Sequence, residues 1–171
     1  DNGISRIPDE STILRFRRLL EAHKLADQML AAVNVTLVQA GLLLKAGTAV
    51  DATLIPAPSS TKNKDGARDA EMTSSKKGNN YHFGMKAHIG VDMESGLVHT
   101  VHTSTGSSHD VTQAHELLHG EEKMVFADSG YRGVTKREEI QTQENQPEWH
   151  VAMMPSKRKA LEALITGHHR G

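Results

Sequence analysis

The chain has 171 residues, no cysteine and a formal net charge of −1 at pH 7. This length allows one domain with a sizeable core. The absence of cysteine excludes disulfides and thiolate metal sites and suits a cytoplasmic protein. The net charge, taken alone, argues weakly against a nucleic-acid partner. The longest apolar stretch, residues 29–44, contains polar residues and is too short to cross a bilayer, so no membrane partner is expected.

Two helices are predicted before residue 47. The first covers residues 11–21, with Asp9 or Ser11 as its N-cap. Its apolar residues recur at three- and four-residue spacings, which predicts a buried stripe. That stripe consists of Ile13, Phe16 and Leu20. The second helix covers roughly residues 24–45 and is closed by Ala46-Gly47. We therefore predict an N-terminal helical segment, residues 1–46, that is an incomplete DNA-binding or helical region.

A β-forming run follows at residues 48–55 and ends at Pro56. It contains one carboxylate, Asp51, and a carboxylate in an apolar strand is costly unless it is paired or binds a metal. The alternative is an Asp that caps a turn. Residues 56–80 are a long polar loop, which indicates either a DNA-contacting insertion or a disordered segment without function. The lysines considered for DNA contact are Lys62, Lys64, Lys76 and Lys77.

Residues 81–91 alternate between apolar and polar or small side chains, which predicts a half-buried strand. Turn residues at 92–96 and a second run at 97–103 predict a hairpin. The pattern predicts that the odd positions face the core, and these are Tyr81, Phe83, Met85, Ile89 and Val91. The even positions, which include His82, Lys86 and His88, are predicted to face away from it.

Four further elements are predicted after the hairpin. Asp110 is expected to cap a helix over residues 111–119. A strand over residues 123–128 ends in a second acid, Asp128. A short helix near residues 135–141 and a strand over residues 149–154 follow. This order predicts an α/β fold, in which a mixed sheet has helices on its faces. Two acids on neighbouring strands would suit hard cations such as Mg²⁺.

Several segments, in the same order, resemble the DDE transposases of the IS-five group of bacterial insertion sequences. They are Val50-Asp-Ala-Thr-Leu-Ile55, Ala57-Pro-Ser-Ser-Thr-Lys-Asn-Lys-Asp65, Tyr81-His-Phe-Gly-Met-Lys-Ala-His-Ile-Gly-Val-Asp92, Ser95-Gly-Leu-Val-His99, His109-Asp-Val-Thr-Gln-Ala114, Ala127-Asp-Ser-Gly-Tyr-Arg-Gly133 and Trp149-His-Val-Ala-Met153. The resemblance runs from about residue 7 to residue 161. It implies a ribonuclease-H-like catalytic core at residues 47–171, in which two aspartates and a glutamate hold two Mg²⁺ or Mn²⁺ ions.

The resemblance also implies residue roles and partners. Asp51 corresponds to the first acid and Asp128 to the second. The implied activity is DNA transposition, with cleavage at insertion-sequence ends and strand transfer into target DNA. The implied setting is the bacterial cytoplasm, on double-stranded DNA, as a homo-oligomer. Four residues are further, weaker candidates for DNA contact: Lys86, His88, Tyr131 and Arg132.

The third acid of the family is a Glu within a Tyr-x₂-Arg-x₃-Glu-x₆-Lys pattern. Arg158 and Glu162 have the corresponding spacing, but Pro155 stands at the Tyr position and His169 at the Lys position. Glu162 is therefore a weak candidate, better explained as a surface residue of a short helix. We expect a chain truncated before the third acid and inactive alone. Its start at Asp1 rather than Met is consistent with a fragment.

Two alternatives remain at this point. His115-Glu116-Leu-Leu-His119 matches the H-E-x-x-H pattern, in which two imidazoles on one helix face bind zinc. A zinc hydrolase is the less favoured interpretation, because no third ligand follows at a typical spacing. The other alternative is a non-catalytic transposase fragment that binds DNA or intact subunits.

Overall fold

The computed structural model describes residues 7–43, 46–58, 62 and 65–167. The chain divides into two compact units, Asp1–Leu43 and Leu44–Gly171. The first unit contains two helices, α1 (Glu10–Ala22) and α2 (Leu25–Gln39). Asp9 caps α1, since its carboxylate accepts the backbone N–H of Thr12 at 2.8 Å.

The stripe predicted on α1 is not buried. Neither helix contains a buried residue, and the side chains of Ile13 and Phe16 are more than half exposed. The prediction is wrong because two helices of this unit form too small a layer to enclose an apolar stripe. Helix α2 also ends earlier than predicted, at Gln39, because Gly41 adopts a left-handed backbone with φ of 70°.

The second unit contains a six-stranded mixed sheet. Its strands are β1 (Gly47–Pro56), β2 (Thr73–Lys77), β3 (Asn80–Asp92), β4 (Val98–Thr105), β5 (Met124–Ala127) and β6 (Glu148–Val151). The strand order is β2-β3-β1-β5-β6, and β4 also pairs with β3. The pairs of β3 with β1, β2 and β4 are antiparallel, whereas β5 is parallel to β1 and to β6. The predicted mixed sheet with flanking helices, as in a ribonuclease-H-like domain, is confirmed.

Two local predictions in this unit are wrong. Strand β2 lies within the segment predicted as a loop. Its extended conformation comes from antiparallel pairing with the start of β3, which the polar composition of the segment does not show. The helix predicted over residues 111–119 is replaced by two short 3₁₀ turns, Asp110–Thr112 and Ala114–Leu117. Asp110 does not cap a helix there, because its carboxylate binds the Lys86 ammonium at 2.8 Å. Two more 3₁₀ turns cover Ser129–Tyr131 and Val134–Lys136, and the described α-helices of the unit are α3 (Glu138–Gln141) and α4 (Pro155–Gly167).

The core lies on one face of the sheet, and β3 turns its even positions toward that face. The buried cluster includes Val50 of β1 and Val125 of β5, together with Leu117 and Tyr131. On β3, His88 and Gly90 are buried, and they pair with Ala52 and Val50 respectively.

The predicted orientation of the hairpin is therefore inverted. Tyr81 is 74% exposed, and Met85 and Ile89 are only partly buried. Gly90 permits this arrangement because it has no side chain, so the His99 ring and the Leu117 carbonyl pack directly against the strand. Buried His88 is satisfied in part by a hydrogen bond between its Nε2 and the Ser104 hydroxyl at 2.7 Å.

Candidate functional site

Asp51 and Asp128 lie at corresponding positions on neighbouring strands. Asp51 is within β1, and Asp128 directly follows β5. The two strands are parallel, with Val50 opposite Ala127, so the two acids come next in the same register. Both line an open groove of about 490 Å³. The structure thus brings the two acids predicted from the sequence to a single groove.

Both carboxylates are exposed, and each is held by one short local hydrogen bond. The Asp51 Oδ1 atom accepts the backbone N–H of Ala52 at 2.7 Å. The Asp128 Oδ1 atom accepts the N–H of Gly130 at 2.8 Å, at the start of the 3₁₀ turn Ser129–Tyr131. Within the described part of the chain, neither Oδ2 atom accepts a hydrogen bond from protein. These oxygens are therefore available to a ligand.

A third carboxylate, Asp110, lines the same groove, and the sequence interpretation missed it. Its Oδ1 atom lies 2.8 Å from the Lys86 Nζ atom, which also donates to the Ser108 carbonyl at 2.7 Å. The two ends of this ion pair are 17% and 30% exposed, for Lys86 and Asp110 respectively. One signal was available, because Asp110 belongs to a segment that resembles the transposase family.

Tyr131 belongs to the 3₁₀ turn that follows Asp128 and is fully buried. Burial raises the pKa of its hydroxyl, and the negative charges of Asp110, Asp51 and Asp128 raise it further. The hydroxyl is therefore a neutral donor at physiological pH. It has no hydrogen-bond partner among the described residues. A DNA contact by Tyr131 is thus a wrong prediction, because no surface of this side chain reaches solvent.

The groove has the chemistry of a hard-cation site but an incomplete protein ligand set. Carboxylate oxygens are the ligands that Mg²⁺ and Mn²⁺ favour, and Mg²⁺ keeps several of its waters. Asp51 and Asp128 therefore fit such an ion. In the ranges that the structure describes, no group of three or more His, Cys, Asp or Glu side chains is arranged to hold a metal.

Glu162, the weak candidate for a third acid, lies on α4 and is exposed. Its Oε1 atom accepts a hydrogen bond from Arg158 Nε at 3.1 Å, one helical turn away. It is not among the described residues that line the groove of Asp51 and Asp128. His169, at the Lys position of the family pattern, lies outside the described residues.

The basic candidates for DNA contact have different environments. Lys62 and Lys76 are exposed, and Lys76 lines a second groove with Lys86 and Asp110 that adjoins the first. Lys64 and the side chain of Lys77 lie outside the described residues.

The remaining candidates lie on β3 and after β5. Lys86 is largely buried and paired with Asp110, as described above. His88 is 0% exposed, so its predicted DNA contact is wrong, because it lies on the core face of β3. Arg132 is exposed, and its Nε atom donates to the Ser129 carbonyl at 3.1 Å.

The pair His115 and His119 does not form a zinc site. The turn Ala114–Leu117 is a 3₁₀ helix that ends before His119, so the two imidazoles do not share a helical face. His115 Nε2 lies 3.1 Å from Glu116 Oε1. The His119 ring instead packs edge-on against His99, with ring centroids 5.2 Å apart.

Comparison with known families gives a match over most of the chain. The profile of a family described as the transposase DDE domain matches residues 43–169. The matched range contains Asp51, Asp110 and Asp128. No solved structure matches the chain. Among the described helices, none has the length and apolar character needed to traverse a membrane.

Proposed function

The chain belongs to the transposase DDE domain family, and we propose that its Asp51 and Asp128 bind the divalent cations of a DNA strand-cleavage and strand-transfer site. The observation that carries this proposal is the meeting of the two exposed carboxylates in one groove, at matching positions of β1 and β5. The segments that resemble the IS-five group support assignment to that branch of bacterial insertion-sequence transposases.

Mg²⁺ or Mn²⁺ bound at this place would neutralise charge at the attacking and leaving oxygens of a phosphodiester. In the intact family enzyme, two such ions are expected. The protein contributes orientation. The bonds from the Ala52 and Gly130 amides fix one oxygen of each aspartate, and both side chains remain open to solvent. This arrangement suits a polyanionic substrate too large to enter a closed pocket.

We propose that DNA passes over the two adjoining grooves. The second groove carries Lys76, an exposed residue whose Nζ atom lies 5.7 Å from the centre of the Tyr81 ring, and this ammonium is the one that we expect to contact a phosphate. Lys62 and Arg132 are further exposed cations of this unit. Since the whole chain has a net charge of −1, its own electrostatic attraction for DNA is small. Additional subunits of a homo-oligomer would therefore add to the binding of double-stranded insertion-sequence ends and target DNA.

We further propose that residues 1–171, tested alone, bind the metal without cleaving DNA. Glu162 supports this, because it is exposed, pairs with Arg158 and does not line the groove. Two carboxylates hold a second ion poorly, and the reaction depends on both ions. The same observation favours a second candidate function, in which this chain acts as a DNA-binding or subunit-binding transposase fragment.

Titration calorimetry with Mn²⁺ tests the proposed metal site. Replacement of either acid, as Asp51→Asn or Asp128→Asn, is expected to weaken Mn²⁺ binding at least about tenfold, because each removes a charged oxygen ligand. Asp69→Asn is the matched control, since Asp69 is exposed and outside the groove. Equal affinities for all four proteins would contradict the proposal.

A cleavage assay tests the absence of autonomous activity. The substrate is DNA with the inverted repeats that flank the coding sequence, incubated with Mg²⁺ or Mn²⁺. We expect no cleavage by residues 1–171. Cleavage that disappears with Glu162→Gln would identify Glu162 as the third acid and refute this part of the proposal.

A further inference from the structure

The two carboxylate oxygens of Asp110 have different surroundings. Lys86 binds only its Oδ1 atom. The Oδ2 atom faces Gly130, the residue whose amide binds Asp128. A methyl group placed on the Gly130 Cα atom would lie 3.6 Å from Asp110 Oδ2 and 2.9 Å from Asp128 Oδ1. The carboxylates of Asp110 and Asp128 therefore approach the same side of Gly130, within the groove that Asp51 also lines.

The Tyr131 hydroxyl is a second feature that the proposed metal ligands leave unexplained. The side chain is 0% exposed, and the oxygen has no partner among the described residues. A buried hydroxyl without a partner costs free energy, so such groups in folded proteins call for an explanation. This one experiences the charges of Asp51, Asp110 and Asp128 together. Its neutral hydroxyl can donate one hydrogen bond.

We propose that Asp110 and Tyr131 are positioning residues that hold the water shell of a cation bound by Asp51 and Asp128. Asp110 accepts hydrogen bonds from these waters through Oδ2, and the Tyr131 hydroxyl bonds to a water or to a carboxylate once the ion is present. This inference rests on the proposed function, since it requires a cation at Asp51 and Asp128. It adds residues for which the family resemblance implies no such role.

The geometry agrees better with Asp110 and Tyr131 contacting the waters of the cation than with their direct coordination of it. The described side chains contain no group of three acidic or imidazole ligands arranged around one metal position. Mg²⁺ commonly keeps several waters and uses one or two protein carboxylates. Residues that hydrogen-bond to the ligands and waters of a metal often alter its affinity by about 10- to 100-fold.

Lys86 has a distinct part in this arrangement. Its ammonium donates to the Ser108 carbonyl and to Asp110 Oδ1, which holds Oδ1 while Oδ2 lies toward Gly130. Lys86 also places a positive charge near the groove, and this charge opposes a second cation. Orientation and repulsion therefore act in opposite directions on metal affinity.

Mn²⁺ titration of four variants tests the inference. Affinity is measured by calorimetry and, independently, by the electron paramagnetic resonance signal of free Mn²⁺. Asp110→Asn keeps the shape of the side chain and is expected to weaken Mn²⁺ binding about tenfold. Tyr131→Phe removes only the hydroxyl and is expected to weaken it about threefold without lowering the melting temperature of the metal-free protein. Asp69→Asn is expected to leave affinity unchanged, because Asp69 is exposed and outside the groove, and Asp51→Asn is the positive control.

The outcomes separate this inference from the proposed function. Wild-type affinity in Asp110→Asn and Tyr131→Phe, together with a weakened Asp51→Asn, would overturn the inference alone. Equal weakening in Asp69→Asn and Asp110→Asn would also overturn it, because the loss would then follow from the removed negative charge and not from the position of Asp110 in the groove. No response in Asp51→Asn would refute the metal site itself. Weak binding in Asp110→Asn at an unchanged melting temperature would support the inference.

Discussion

The paired strands β1 and β5 have carboxylates near both ends. These carboxylates differ in burial and in the number of hydrogen bonds that they accept from the protein. At the start, Glu122 is 1% exposed and accepts the backbone N–H groups of His119 and Gly120, the latter at 2.8 Å. At the other end, Asp51 and Asp128 are exposed, and each accepts one backbone N–H. Glu122 is bonded through both oxygens, whereas each aspartate keeps one oxygen open.

The buried end continues as a polar network. The Thr48 hydroxyl lies 3.2 Å from His99 Nε2, and the His99 ring contacts the ring of His119. Asp92 accepts the N–H groups of Glu94 and Ser95. Residue type therefore does not distinguish the structural acid Glu122 from Asp51 and Asp128, the acids proposed to bind a ligand. The number of protein donors on each carboxylate does, because a satisfied buried acid has no oxygen left for a ligand.

Removal of Glu122 is expected to have the largest effect on stability. Glu122→Ala leaves the amides of His119 and Gly120 without their acceptor in a buried site, so we expect a loss of about 3 kcal/mol in the free energy of unfolding. Urea denaturation followed by circular dichroism measures it. Glu121→Ala is the matched control, because Glu121 is exposed. Similar losses in the two variants would show that buried Glu122 has no special structural role.

Two glycine substitutions test the same difference between the buried end and the open end of β1 and β5. In Gly90→Ala the new methyl would lie 2.7 Å from His99 Cε1 and against the Leu117 carbonyl, so we expect a loss of about 2 kcal/mol. In Gly130→Ala the methyl meets the flexible end of Asp128, which can move. Unfolding measurements should show a small change for Gly130→Ala, and Mn²⁺ titration should show weaker binding. The opposite ranking in stability would contradict this prediction.

The buried histidines predict a pH dependence of stability. Burial is the main cause that lowers the pKa of both His99 and His88 in the folded protein, below the ordinary value of 6.5. The charges of His119 and Lys86, respectively, lower these pKa values further, whereas Glu122 and Asp92 beside His99 and Asp110 beside His88 oppose the shift.

The direction in which stability changes with pH follows from the number of protons that the folded and unfolded chains bind. As the pH falls below about 6.5, the unfolded chain binds protons that the folded chain does not, so stability is complete above this pH and declines below it, toward the folded-state pKa values. Each histidine contributes at most about 1.4 kcal/mol per pH unit. Urea denaturation from pH 8 to pH 5.5 should show the decline, and His99→Gln should reduce its slope. A flat wild-type profile would contradict the prediction.

The smallest effect on stability is expected at the groove. Asp51→Asn and Asp128→Asn should each change the free energy of unfolding by less than about 0.5 kcal/mol in metal-free buffer, because both side chains are exposed and Asn can accept the same local hydrogen bond. The same denaturation assay measures this. A loss comparable to that of Glu122→Ala would show that these acids are structural.

Most strands and their class could be predicted from local patterns. Alternation identified β3, turn residues identified the hairpin with β4, and Pro56 marked the end of β1. The strand predicted over residues 149–154 ends earlier, at Val151, so Pro155 does not mark its end. Asp51 and Asp128 were identified by the cost of a carboxylate in an apolar run and by family resemblance. Asp110 was misassigned as a helix cap, because its partner Lys86 is 24 residues away in the chain. A pattern within one short segment cannot show an ion pair between residues so far apart in the chain.

Local sequence patterns were enough to predict the alternation of β3, one acid in each of two apolar runs and a mixed sheet. The buried face of β3 could not be predicted in this way, because burial depends on the layer that covers the sheet. Here the 3₁₀ turn with Leu117 and the His99 side chain cover the side of Gly90, and they pack closely because glycine offers no side chain. Likewise, the pairing of β1 with β5 decided which carboxylates meet. Burial by the folded chain, which the periodicity within one segment does not show, distinguishes Glu122 from the exposed Asp51 and Asp128.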